Sequence, residues 1–226
     1  MPLFNLSADR GLSSFHSEHR FVGSPIYALP LGKNQRWLKG RGTLAALAGN
    51  WRLSVITTLQ TGKPFTVNRG MDQSMSGTAG LGIFADRPNL IADPFRAGPV
   101  AANPDPLCRT TISNGGRAAD RVRTTQTWFN ACAFASPGVA FGNAGRNAFI
   151  GPGLANSDIS ALKEIEIGRE GHRFQFRVDF FNLFNHPNFD LPHRIFDSRT
   201  FGEVRSSNAN GDNPPRQIQL ALRYSF

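Results

Sequence analysis

The chain has 226 residues and a net charge of +9, with 25 Lys and Arg against 16 Asp and Glu. This length suits one large all-β domain or two small ones. Most basic residues are single arginines inside alternating segments or glycine-rich loops, so they do not form the basic face that nucleic-acid binding requires. No run approaches the roughly 20 consecutive apolar residues of a membrane-spanning helix. Composition therefore argues against a nucleic-acid partner and against a helical membrane protein.

The first third of the chain predicts two strands. Residues 19–29 favour a strand weakened by Pro25, which suits a sheet edge or a bulge. The stretch TLAALAG (43–49) predicts one or two helical turns that Gly49 ends. Residues 51–60 alternate between apolar and polar side chains, and TGKPFTV (61–67) extends this predicted strand past a glycine.

The remaining chain predicts three more strands between two long loops. Residues 68–155 are rich in Gly, Pro, Asn and Asp and contain no convincing element, and a loop of this length usually has a function. Alternation returns in residues 157–167, 172–185 and 216–226, and the second long loop spans residues 186–215.

The lengths of the connections indicate a membrane topology. Long connections (68–156 and 186–215) alternate with shorter ones (30–50 and 168–171), which is the pattern of a transmembrane β-barrel. Strands of about 10 residues span a bilayer when they are tilted. If the last strand runs towards the periplasm, every short connection falls inside and every long one outside. The sequence therefore predicts an all-β fold, an antiparallel transmembrane β-barrel segment with about five strands of a larger barrel and long extracellular loops.

The predicted strands have one apolar and one polar face. Aromatic residues near both strand ends predict interfacial girdles. Lys163 falls on the apolar face, so either its side chain reaches towards the interface or a bulge resets the register there. The polar positions predict seven lumen-facing residues: Arg173, Gln175, Arg177, Asp179, Gln217, Gln219 and Arg223.

Few residues in the chain suggest a chemical site. Cys108 and Cys132 are the only cysteines, and both lie in the first long loop. In an oxidising compartment they would pair, in the cytosol they would remain free thiols, and the membrane interpretation favours pairing. Their spacing fits no zinc site, and His16 and His19 have no partner cluster. Without a nucleophile elbow or a phosphate loop in its proper context, the sequence predicts no enzyme, no metal and no cofactor.

Five segments in a fixed order resemble the C-terminal barrel of TonB-dependent outer-membrane receptors. They are GNWRLSVITTLQTGKPFTV, RPNLIADP, WFNACAFASPGVAFGNAGRNAFIGPGLANSDISALKEI, RFQFRVDFFNLFNHPNFDLP and PRQIQLALRYSF. The resemblance is strongest to the Oar-like group found in Acidobacteria, which has an N-terminal carboxypeptidase-regulatory-like domain, and it covers nearly all of residues 1–226. It implies an outer-membrane location in a Gram-negative bacterium, with uptake of a large nutrient such as an oligosaccharide or a metal chelate.

The resemblance also implies roles for particular residues and partners. Cys108 and Cys132 would belong to an extracellular loop. Leu222, Tyr224 and Phe226 would form the C-terminal signal that the barrel-assembly machinery recognises. The other partners would be outer-membrane lipid and lipopolysaccharide, and TonB would act only through a plug absent from this chain.

The sequence departs from the receptor pattern in its size. Such receptors have about 22 strands around a plug, whereas about five strands are predicted here, without a plug, a TonB box or a signal peptide. The expectation is therefore a fragment of a longer receptor that is inactive alone. The alternative is a soluble all-β module that binds nucleic acid or polysaccharide.

Overall fold

The computed structural model describes residues 9–31, 36–37, 47–75, 86–166, 172–207 and 214–226. The chain divides into two compact units. The sheet unit comprises residues 19–60, 154–188 and 210–226, and the loop unit comprises residues 1–18, 61–153 and 189–209. The predicted short connection at 168–171 and most of the predicted helical turn at 43–49 lie outside the described residues, although Leu47 and Ala48 are helical.

Ten strands occur in the described part of the chain. They are β1 (Arg20–Gly23), β2 (Ile26–Ala28), β3 (Trp51–Gln60), β4 (Pro64–Phe65), β5 (Asn89–Leu90), β6 (Phe134–Ala135), β7 (Phe149–Ile150), β8 (Leu154–Glu166), β9 (Arg173–Phe181) and β10 (Gln217–Ser225). No helix among the described residues is long and apolar enough to cross a membrane.

The sheet unit is a single antiparallel sheet in the order β1, β3, β8, β9, β10. β2 pairs with β3 alongside β1. Each long strand therefore pairs with the long strand that precedes it in the chain, even where a long connection intervenes. This arrangement confirms the predicted all-β antiparallel fold.

Pro25 lies between β1 and β2 at the edge of the sheet, and no bulge occurs there. The pairs Arg20↔Gln60 in β1 and Ala28↔Arg52 in β2 belong to one unbroken register along β3. Val55 N donates to Pro25 O at 3.0 Å, so the pairing continues through the proline. Because proline has no N–H, an edge position is where a strand tolerates it. The edge interpretation is right, and the bulge interpretation is wrong.

Three predicted strand boundaries need correction. β3 ends at Gln60, because Gly62 packs against the Gly151 carbonyl and Pro64–Phe65 forms β4, which pairs with β7 in the loop unit. β8 begins at Leu154, earlier than the alternation indicated. β9 ends at Phe181 instead of residue 185, because Asn182 and Asn185 adopt left-handed conformations, with φ of 47° and 50°.

The loop unit has an aromatic core of its own. Phe65, Phe129, Phe134 and Phe149 are buried together, with neighbouring ring centroids between 5.4 and 6.1 Å apart. Phe201 packs on Phe129 at 4.8 Å. The described residues of the segment 68–155, which the sequence indicated to be irregular, are thus largely irregular in backbone but well packed. Three 3-10 helices occur among these described residues: Pro106–Arg109, Ile112–Asn114 and Ala131–Ala133.

Buried asparagines satisfy the backbone of this irregular unit. Asn130 is fully buried, its amide donates to Arg96 O and Gly98 O, and its carbonyl accepts from Ala119 N and Cys132 N. Asn103 similarly donates to Cys132 O and Phe134 O at 2.8 and 2.9 Å. Buried peptide groups outside regular ladders need such partners, so these two side chains replace missing secondary structure.

Candidate functional site

The register of the sheet aligns apolar side chains in rows on one face, the apolar face. One row pairs residues across β3, β8, β9 and β10, and the next rows follow two residues along each strand. The rows are Val55, Ile159, Phe180 and Ile218; Leu53, Ala161, Val178 and Leu220; and Trp51, Lys163, Phe176 and Leu222. The alternation seen in the sequence therefore produces one continuous surface.

The sheet unit buries no apolar core. Among the described residues, every buried hydrophobic side chain belongs to the loop unit. The buried side chains of the sheet unit are polar or charged: Lys163, Asp179, Asn182 and Asn188. On β10, Leu220 and Leu222 are 67% and 71% exposed. Because a water-soluble sheet normally covers its apolar face with a second layer, this surface fits an apolar surrounding phase.

The opposite, polar face carries all seven of the predicted lumen-facing residues. Gln219 lies opposite Asp179, and Arg223 lies opposite Gln175. Arg177 Nε donates to Asp179 Oδ1 at 2.9 Å. Gln175 Nε2 donates to Glu164 Oε1 on β8 at 3.3 Å. Some polar side chains of this face are therefore hydrogen-bonded to each other, along one strand or between two strands. The face as a whole suits contact with water.

Aromatic residues cluster on the apolar face where β10 ends. The Tyr224 ring lies 4.9 Å from Phe174 and 5.9 Å from Phe226, centroid to centroid. The Tyr224 hydroxyl hydrogen-bonds His172 Nδ1 at 2.6 Å. Leu222 pairs with Phe176, and Phe226 itself is 91% exposed. The three residues predicted to form the assembly signal therefore share one face and one end of the sheet.

Lys163 occupies the apolar face without any change of register. The pairing of β8 with β3 and β9 is continuous through this residue, so the predicted bulge is wrong. Its ammonium donates to Leu47 O at 2.9 Å and Gly49 O at 2.6 Å, and lies 5.3 Å from the Trp51 ring centroid. The side chain reaches backbone carbonyls just before β3, so the charge is compensated within the sheet unit.

In the loop unit, Cys108 and Cys132 are joined by a disulfide with Cα atoms 5.5 Å apart. Both are buried with Val100 and Ala118 in a second, smaller core. The bond ties the 3-10 helix Pro106–Arg109 to the 3-10 helix Ala131–Ala133. It therefore closes the irregular segment between them around an apolar centre.

Two carboxylates of the loop unit are stabilised in their charged form. Arg117 Nη1 donates to Asp105 Oδ2 at 2.7 Å, and this bond, together with the Leu107 N–H, lowers the pKa of Asp105. Bonds from the Ser113 hydroxyl, Thr111 and the Ser113 N–H lower the pKa of Asp120. Asp105 also caps the helix Pro106–Arg109.

Some polar groups of the loop unit escaped the sequence analysis because their partners are distant in sequence. Arg69 is almost fully buried and binds Asp197 through Nη2 at 2.6 Å. Arg69 also donates to Ser136 at 2.8 Å. No alternation or spacing connects residues 69, 136 and 197, so a single sequence offers no signal for this cluster.

An antiparallel sheet with one uncovered apolar face and one charged face defines the class of membrane-embedded β-sheet proteins. The chain belongs to the outer membrane beta barrel domain family, whose profile matches residues 1–219. This membership places it in the outer membrane of a Gram-negative bacterium, and the predicted location is confirmed. Proteins of this family act generally in membrane transport or reception and not as enzymes. The comparisons with curated proteins and with solved structures found no match.

Proposed function

We propose that the chain forms part of the barrel of a TonB-dependent outer-membrane receptor of the Oar-like group. Its substrate is a large nutrient, such as an oligosaccharide or a metal chelate. The observation that carries this proposal is the sheet unit without an apolar core, whose apolar face requires lipid and whose polar face requires water. The resemblance of five segments to such receptors supports the finer assignment.

The free edges of the sheet support a larger barrel. Within the described residues, β1 and β10 each pair on one side only. An open strand edge leaves backbone groups unsatisfied in hydrocarbon, so a membrane sheet must close. β1 and β10 also run in the same direction, because four antiparallel steps separate them. Copies of this sheet would meet in parallel, so an antiparallel closure needs an odd number of strands from elsewhere.

The proposed orientation follows from the connections. The strands β3 and β9 end, and β8 and β10 begin, at the same end of the sheet, which we assign to the cell exterior. The opposite end, with Tyr224 and Phe226, then lies at the periplasmic interface. Partners in this proposal are outer-membrane lipid and lipopolysaccharide, the barrel-assembly machinery through β10, and TonB through a plug outside this chain. The seven polar-face residues line the lumen.

Deletion and uptake measurements test the proposal. A strain lacking the gene that encodes this chain is grown on single oligosaccharides and on single iron chelates. We expect the strain to lose growth on at least one of them, and deletion of TonB to cause the same loss. The reason is that large solutes cross such a barrel only with energy transmitted from the inner membrane.

A parallel fractionation controls for location. The chain is expected in detergent-extracted outer membrane and not in the soluble fraction. Unchanged growth across the whole panel, or uptake that persists without TonB, would contradict the receptor assignment while leaving outer-membrane membership intact.

A further inference from the structure

The loop unit presents an arginine on its surface in an unusual conformation. Arg123 has φ of 60°, in the left-handed region that bulky L-residues rarely adopt. Its backbone N–H donates to Trp128 O at 3.0 Å, and Thr124 and Thr127 bond to each other inside this turn. The turn therefore holds the backbone of Arg123 in a conformation that glycine would adopt without strain.

Two aromatic rings hold the side chain of Arg123. Its guanidinium carbon lies 4.3 Å from the Phe95 ring centroid and 5.7 Å from that of Trp128. The Trp128 ring is itself fixed, because its Nε1 donates to Ile150 O at 3.0 Å. A guanidinium stacked in this way loses rotational freedom before any ligand arrives, and its N–H donors remain at the rim of the stack.

The donors of Arg123 are available for a ligand. The residue is exposed, and no side-chain hydrogen bond or ion pair joins it to another described residue. Another arginine of the loop unit, Arg69, stacks on Phe196, but it is buried and bound to Asp197. Arg123 is thus held on an aromatic ring as Arg69 is, but no carboxylate among the described residues binds its guanidinium.

We propose that Arg123, with Phe95 and Trp128, forms a binding site for a carboxylate group of the transported nutrient. The planar guanidinium matches the two oxygens of a carboxylate, and the aromatic rings supply apolar contact beside the charge. A carboxylate is common to acidic oligosaccharides and to carboxylate-type iron chelates. This inference rests on the proposed uptake function and narrows its substrate to an anionic one.

Equilibrium binding tests the site. The full chain is extracted from outer membranes in mild detergent, so that the strands completing its sheet stay with it. The intrinsic tryptophan fluorescence, to which Trp128 contributes together with Trp37 and Trp51, is then titrated with oligogalacturonate, with ferric citrate and with a neutral galactan oligomer. We expect one of the two carboxylate ligands to bind at least about tenfold more tightly than the neutral oligomer, since a hydrogen bond to a charged group gives about that ratio. Which of the two binds identifies the source of the carboxylate.

Substitutions at Arg123 separate binding from structure. Arg123→Gly relieves the backbone strain and removes the guanidinium, so the variant is expected to keep its thermal stability while binding weakens about tenfold or more. Arg123→Lys keeps the charge but lacks the planar guanidinium. We expect its affinity for the carboxylate ligand to lie between those of the unmodified chain and Arg123→Gly. Arg121→Gln, also exposed, is the matched control for the loss of one positive charge and is expected to bind normally.

Three results of the binding measurements would overturn the inference: equal affinity for the neutral and both carboxylate ligands, unchanged affinity in Arg123→Gly, or an equal loss in Arg121→Gln. These results are independent of the uptake experiment. TonB-dependent growth on a neutral oligosaccharide would refute the carboxylate site and preserve the receptor. Carboxylate binding without TonB-dependent uptake would refute the receptor assignment and preserve the carboxylate site.

Discussion

Lys163 shows how a charge is accommodated on an apolar face. Two backbone carbonyls, Leu47 O and Gly49 O, accept its hydrogen bonds, and the Trp51 ring lies beside the ammonium. The alternative side chain for this position would be apolar, and it would leave those carbonyls without their partner. The lysine therefore serves the backbone that precedes β3 and is not a defect in the alternation.

Replacing Lys163 tests this interpretation. Lys163→Met keeps the length of the side chain but leaves two carbonyls without a hydrogen-bond donor. We expect the free energy of unfolding to fall by about 1–3 kcal/mol. Lys163→Arg keeps a donor in place and is expected to cost less. The measurement is the urea midpoint of the detergent-extracted protein, followed by tryptophan fluorescence. A Lys163→Met variant as stable as the unmodified chain would show that the two hydrogen bonds contribute nothing.

Asp105 gives the loop unit a dependence on acid. Arg117 and the Leu107 N–H hold its pKa below the ordinary value, so the folded state binds a proton less readily than the unfolded state. The resulting stabilisation is complete above the pKa that this carboxyl has in the unfolded state, and it is lost as the pH falls through the lower pKa of the folded state.

The same pair provides the matching experiment. Asp105→Asn keeps the helix cap but loses the ion pair, so it should be less stable than the unmodified chain at neutral pH. This difference should disappear in acid, below the folded pKa, and Arg117→Gln should reproduce the pattern. Urea midpoints measured at several pH values provide the test, and a difference that stays constant with pH would exclude the ion pair as its origin.

At the scale of the elements, sequence alone predicted the strands that two solvents constrain. β3, β8, β9 and β10 alternate because lipid and water select opposite side chains on the two faces. Their boundaries were less predictable. β9 stops where Asn182 turns left-handed, and an asparagine in an alternating pattern does not reveal its φ angle.

The core of the loop unit was not predictable for a different reason. Phe65 meets Phe149 and Phe129 across long stretches of irregular chain, and Asn130 supplies the hydrogen bonds that a ladder would otherwise provide. No periodic pattern in the sequence indicates either of these interactions. The same holds for Arg123, whose two aromatic neighbours become visible only in three dimensions.

The disulfide is the element-scale feature that holds this irregular core. Cys108 and Cys132 lie 24 positions apart in the sequence. Closing a loop of that length contributes about 3–4 kcal/mol in the chain-entropy account. We predict that the bond is present in the mature outer-membrane protein, and that Cys108→Ser with Cys132→Ser makes residues 98–135 sensitive to protease while β8–β10 stay protected. Mass spectrometry of non-reduced peptides tests the bond, and two free thiols would refute it.

At the scale of the whole molecule, the two units differ in whether they bury an apolar core. The loop unit buries phenylalanines in an apolar core, as a water-soluble domain does, whereas the buried side chains among the described residues of the sheet unit are polar or charged and leucines such as Leu220 and Leu222 are exposed. One chain therefore contains a part adapted to water and a part adapted to lipid. Assembly must bring the second part into the membrane before its apolar face associates with another exposed surface, which makes recognition by the assembly machinery important for the whole protein.

Phe226 provides the test of that recognition. It is 91% exposed and lies beyond the last strand, so its ring buries little surface within this chain. If Phe226 only adds packing, deleting it should change little. If it closes a signal with Leu222 and Tyr224, deletion from the full-length protein should sharply lower the amount that reaches the outer membrane, while Phe226→Tyr and Phe226→Trp remain mild. Phe184→Ala removes another exposed phenylalanine of the sheet unit and serves as the matched control, with normal amounts expected. Immunoblots of isolated outer membranes measure the amount of each variant. A deletion variant present at the normal level would show that Phe226 is not part of an assembly signal and contributes only packing.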